Sequence, residues 1–127
     1  MIRPARLEDV PRLNALMHEC GLALEGIAYD RWGPVTLVYE RQGEIIGLVQ
    51  ALLGMPYAII TEMAVRPDVQ HHGLGVKLME HMETVLRCAG MTTWVTFTSH
   101  ENVPVQVQLD GYGARCIGTG IGYAKGL

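Results

Sequence analysis

Gln70, His71, His72, Gly73, Leu74, Gly75 and Val76 stand between an apolar run ending at Val65 and a helical pattern beginning near Leu74. Helix starts leave backbone N–H groups without partners, and the macrodipole adds partial positive charge there. Glycines at Gly73 and Gly75 remove the Cβ atoms that would hold a bulky anion away from those donors. The chemistry implied is a pyrophosphate cradle between a strand and a helix. Two rival cradles are disfavoured. Gly-x-x-x-x-Gly-Lys-Ser/Thr is absent, and so is Gly-x-Gly-x-x-Gly with an acidic residue closing a following strand.

Groups that could move a proton near this stretch are few. Glu62 is the acidic residue of the preceding strand, readable as a base acting through water or as a sheet-surface charge. Adjacent His71 and His72 point apart on one turn, and His18-Glu19-Cys20 does not converge three ligands, so no metal site is expected. His100 and Glu101 follow the next strand and read equally as substrate contacts or as an ordinary polar loop. Gly118-Thr119-Gly120-Ile121-Gly122 resembles a second phosphate loop, but no helix follows it, so a terminal hairpin is the better reading.

The elements that must carry these residues follow from periodicity. Ile2 to Ala5 suits an edge strand, and Val10, Leu13, Leu16, Met17 and Cys20 repeat at helical spacing behind Glu8 and Asp9, with Gly21 as the stop. Leu22 to Pro34 allows a short helix broken by Trp32-Gly33-Pro34. Val35 to Glu40 and Glu44 to Leu53 form a hairpin across Gln42-Gly43, and Tyr57 to Val65 is a third strand. Leu74, Leu78, Met82, Val85, Leu86 and Ala89 make one apolar helix face, with Lys77, Glu80, Glu83 and Arg87 opposite, and Gly90 ends the helix. Thr92 to Thr98 then makes a parallel, right-handed strand–helix–strand crossover. A last helix starts at Pro104, and Ala114 to Ile117 and Ile121 to Lys125 close the chain as strands.

At 127 residues, 49% hydrophobic and 18% charged, the chain reads as one ordered domain spanning 1–127. A formal charge of −3 without a basic run excludes a nucleic-acid surface. No apolar stretch is long enough to span a bilayer, and no signal peptide opens the chain. Cys20, Cys88 and Cys116 are odd in number and widely spaced, as reduced, buried apolar residues would be. A cytoplasmic location is the default expectation.

With Val65-x-Pro67 ahead of Gln70-x-x-Gly73-x-Gly75, the stretch resembles the acyl-CoA-binding motif Gln/Arg-x-x-Gly-x-Gly/Ala of the GNAT N-acetyltransferase superfamily. The order of elements is also similar, as are the opening Ile2-Arg3-Pro4-Ala5 with Glu8-Asp9 and the late Asn102 with Gly113 eleven residues on. The resemblance implies an α/β fold with a mixed, mostly antiparallel sheet, one parallel βαβ crossover and flanking helices. It implies transfer of acetyl from acetyl-CoA to a primary amine by direct attack in a ternary complex. The pyrophosphate would meet backbone N–H groups from Gln70 to Val76, aided by the side chains of Gln70, His71 and His72. The pantetheine arm would pair along Met63, Ala64 and Val65, with Asn102 as a polar contact. Tyr29, Asp30 and Trp32 fall where the family builds its acceptor loop, although a core anchor explains the aromatics as well.

The chain departs from the family at the chemistry. The position of the usual tyrosine acid, seven residues after Asn102, holds Leu109, and the usual base positions hold Ile59 and Thr61. Tyr112 and Glu62 are the remaining candidates for acid and base. A CoA-binding sensor that lost catalysis is therefore the alternative, and a CoA-independent structural domain is a third reading. The acidic balance suits a cationic acceptor such as a polyamine, an aminoglycoside or a protein N-terminus. An exposed Gly-rich terminal edge would allow a homodimer.

Overall fold

In the computed structural model of the chain, the residues described are 1–21, 35–54, 56–70, 72–97, 108–109, 111–116 and 122–127. They form β1 (Ile2–Pro4), α1 (Val10–Glu19), β2 (Thr36–Arg41), β3 (Glu44–Leu53), β4 (Tyr57–Val65), α2 (Leu74–Cys88), β5 (Thr93–Phe97), β6 (Arg115–Cys116) and β7 (Gly122–Gly126). The strands hydrogen-bond in the order β1-β2-β3-β4-β5-β7-β6. The β4–β5 pair is parallel, and β1–β2, β2–β3, β5–β7 and β6–β7 are antiparallel. The mixed sheet with one βαβ crossover is thus the architecture expected from the sequence. The proposed helix in 22–34, the start at Pro104 of the last one, of which Gln108, Leu109 and Gly111 are helical, and the Gly-rich turn at 118–122 except Gly122 lie outside the described residues.

Two compact units divide the chain, one of Met1–Gln50 with Glu62–Met82, the other of Ala51–Thr61 with Glu83–Leu127. In the first, Gln42 and Gly43 both take positive φ, the mirror-image turn whose twist suits a two-residue hairpin. Leu13, Leu16 and Met17 of α1 bury against Val38, Ile45, Leu48 and Ala64. The neighbouring residues of the hairpin face the other way. A Cβ at Gly47 would stand 3.0 Å from a Leu78 methyl carbon of α2 and 3.4 Å from the Ala64 carbonyl oxygen, so a larger residue there requires Leu78 to give by a few tenths of an ångström.

Asp9 stands at the positive end of α1, directly before Val10, as its position suggested. It is wholly buried, and its carboxylate accepts hydrogen bonds from Arg3 (2.7 and 3.1 Å), Arg12 (2.6 Å) and the Arg6 amide (2.7 Å). The Arg3 guanidinium also donates to Glu40 at 2.6 Å, tying β1 to β2. A buried carboxylate survives only when such donors replace its water.

In the second unit, Trp94 is fully buried and its indole N–H donates to Glu83 at 3.0 Å, while Lys125 donates to the same oxygen at 2.6 Å. Glu83 is therefore buried and paired with β5 and β7, not on the polar face with Lys77, Glu80 and Arg87 where the sequence placed it. Val85, expected on the apolar face, is 37% exposed, while Met79 is buried. Past Cys88, the Met91 amide bonds the Leu86 carbonyl at 3.0 Å around Gly90, closing the helix end as anticipated.

The donors around Asp9, Arg3 foremost, hold its carboxyl well below the usual carboxylate range. A depressed carboxylate pKa contributes stability above the unfolded value of about 4, and that stability is lost as pH falls toward the folded value. Asp9→Asn should lower the unfolding free energy by about 3 kcal/mol at neutral pH, as breaking a buried pair does. Urea denaturation across an acid pH series should show the gap from wild type narrowing below about pH 4.

Candidate functional site

The backbone ladder between β4 and β5 covers Tyr57↔Thr93, Ala58↔Trp94 and Ile59↔Val95. At the next step a side chain takes over, the Thr96 hydroxyl donating to the Ile60 carbonyl at 2.9 Å. On their far side Thr96 and Phe97 pair with Tyr123 and Gly122 of β7. Among the described residues, β4 thus runs from Thr61 to Val65 without a ladder to β5. Met63, Ala64 and Val65 lie on this stretch, with Ala64 buried and the other two half-buried.

Glu62 is half-buried, its carboxylate has no hydrogen-bond or ion-pair partner among the described residues, and burial pushes its pKa up.

Beyond Val65 the chain turns through a single 3-10 turn, Pro67–Val69. Arg66 is clamped between Asp68 (2.6 and 3.1 Å) and Glu44 (2.9 Å), so its charge serves the loop. Gln70 folds back, its side-chain amide donating to the Val65 carbonyl at 2.9 Å. The thiol of Cys20, at the end of α1, reaches the same oxygen at 3.3 Å. Sequence reasoning missed Cys20, for which a core role was expected, because only the folded chain brings it beside Val65.

Gly73 has φ +80° and open space where a Cβ would stand. The Lys77 amide bonds the Gly73 carbonyl at 3.2 Å as the helix ladder begins, so the amides of Leu74, Gly75 and Val76 stand ahead of it. Leu74 anchors the turn, being buried, while His72 and Gly73 are exposed and Val76 is 45% exposed. These donors and this space fit a pyrophosphate. His71 and Asn102 lie outside the described residues.

Tyr112 belongs to the other unit, in the turn after Gln108 and Leu109, half-buried and with its hydroxyl pKa raised by burial. Leu109 is buried, an apolar core residue. Among the described residues no three His, Cys, Asp or Glu side chains group as metal ligands, and no helix is long and apolar enough to cross a membrane.

No curated protein matches the chain by sequence. Solved structures do share its fold. PaiA N-acetyltransferase from Thermoplasma acidophilum, in complex with coenzyme A, has a TM-score of 0.86 at 14% identity, over 100% of this chain and 98% of that one. The ribosomal-protein-S18-alanine N-acetyltransferase of Escherichia coli gives 0.83 at 17% identity, over 99% and 92%. Diaminobutyrate acetyltransferase from Paenibacillus lautus, with L-2,4-diaminobutyric acid and coenzyme A, gives 0.83 at 16%, over 99% and 93%. The profile of the acetyltransferase (GNAT) family matches residues 6–106. The chain belongs to the GNAT acetyltransferase family.

Proposed function

We propose that this chain transfers acetyl from acetyl-CoA to a primary amine, by direct attack while both are bound. The observation that carries the reading is the start of α2, where open space at Gly73 and the leading amides of Leu74, Gly75 and Val76 follow directly on β4. Backbone amides from Gln70 to Val76 would hold the pyrophosphate, and the stretch Met63-Ala64-Val65, past the described ladder to β5, would receive the pantetheine arm. The Gln70 side chain braces the loop, which leaves the backbone to do the binding. Neighbours of the same fold bind coenzyme A, and one holds a diamino acid, which supports an amine acceptor.

The thioester supplies an activated acyl group whose sulfur leaves as a thiolate. A free-thiol pKa of about 8.5 makes that departure feasible without a strong acid. The acceptor must arrive as a neutral amine. Glu62, with its pKa raised by desolvation, is the carboxylate we assign to take that proton, directly or through water. Tyr112 is the candidate donor toward sulfur, its hydroxyl kept protonated by burial. Leu109 in the usual acid position favours one alternative, a CoA-binding sensor without turnover.

Thermal unfolding with acetyl-CoA, NADH and ATP in parallel tests the binding. At one hundred times its dissociation constant acetyl-CoA should stabilise the fold by about 2.7 kcal/mol, and the other two should not. No shift at saturation removes both the enzyme and the sensor reading. A shift without free CoA release over a panel of amines leaves the sensor.

Gly75→Val places a branched side chain in the first turn of α2. Because valine is about 0.4 kcal/mol better than glycine in a helix, ligand-free stability should hold while the acetyl-CoA shift disappears. Glu62→Gln should lower kcat by about 100-fold, in the range of a lost general base. The deprotonated carboxylate is the active form, so the wild-type pH–rate profile should fall on an acidic limb above the ordinary glutamate value. An unchanged limb in Glu62→Gln would remove Glu62 from the mechanism.

A further inference from the structure

We propose that Cys20 is a positioning residue for the acyl donor: its thiol, together with the Gln70 amide, locks the Val65–Arg66 peptide from which the cradle loop departs. The inference rests on the acetyl-CoA reading above and extends it to a residue remote in sequence. A peptide unit is planar and rigid, so restraining its two polar atoms fixes the direction in which the chain leaves it.

This unit is restrained at both. Its carbonyl oxygen accepts from Gln70 Nε2 at 2.9 Å and from Cys20 Sγ at 3.3 Å, which uses both lone pairs. Its N–H, on Arg66, donates to the Ile46 carbonyl at 2.8 Å. The restraints come from three places: the end of α1, strand β3 and the loop itself. Gln70 is exposed, so its amide competes with water. The half-buried thiol is the donor that water reaches less, and burial keeps it as S–H at neutral pH. With the peptide plane set, the Pro67–Val69 turn delivers Gln70 and the amides that follow to a defined place. Without it, the loop still forms but its amides spread over several orientations, and a ligand must pay to gather them.

Two variants separate a donor from a packing group. Cys20→Ser keeps a donor and loses bulk, and Cys20→Val keeps bulk and loses the donor. Acetyl-CoA affinity is read by calorimetry, and exchange of the Arg66 amide is read by NMR in the ligand-free protein. Cys20→Val should weaken acetyl-CoA by about 3- to 10-fold, the span of one hydrogen bond, and speed Arg66 exchange by a similar factor. Cys20→Ser should match wild type in both, even if its melting temperature drops. Cys20→Val behaving as wild type, or Cys20→Ser failing where Cys20→Val does not, overturns the proposal. If wild type has no affinity for acetyl-CoA, the acyl-donor reading falls and the positioning role with it. Cys20-dependent Arg66 exchange in that case marks the failure as one of ligand, not of geometry.

Discussion

A helix cannot begin without leaving backbone amides ahead of its own ladder, and the whole arrangement turns on where this chain spends that obligation. The amides in question open α2, which follows β4, the strand whose described ladder to β5 covers Tyr57, Ala58 and Ile59. Most helix starts satisfy such amides with a side-chain cap or with water. Here a positive-φ glycine with nothing where its Cβ would be precedes them. Close by in the chain, Arg66 is held by Asp68 and Glu44.

The scaffold is held by two carboxylates that hide from water. Asp9 gathers Arg3, Arg12 and the Arg6 amide, and Glu83 gathers Trp94 and Lys125. Each lies inside one of the two compact units and joins elements distant in sequence. Both are poor bargains in isolation, since desolvating a carboxylate is costly. Their directionality is what an apolar contact lacks, because each oxygen accepts only along its lone pairs.

Much of this was legible in the residues. The bounds of β3 and β4, the Gln42-Gly43 turn and the span of α2 follow from period and turn chemistry, which are local properties. The turn into α2 was legible for the same reason, since its glycines and the helix start are contiguous. Glu83 was misread because a charge four residues from Arg87 has the local signature of a solvated face, and only Trp94 and Lys125 reveal its burial. The burial of Asp9 was not legible in the sequence, where its donors lie on both sides of it. The bond from Cys20 to Val65 joins residues 45 apart, beyond any periodic pattern.

The burial of Trp94 has a consequence for watching the protein work. Its indole proton is sealed from solvent and held by the Glu83 carboxylate. Such a proton trades with deuterium only when the packing of α2 on β5 opens. One resolved resonance is therefore a built-in clock for the opening of that region.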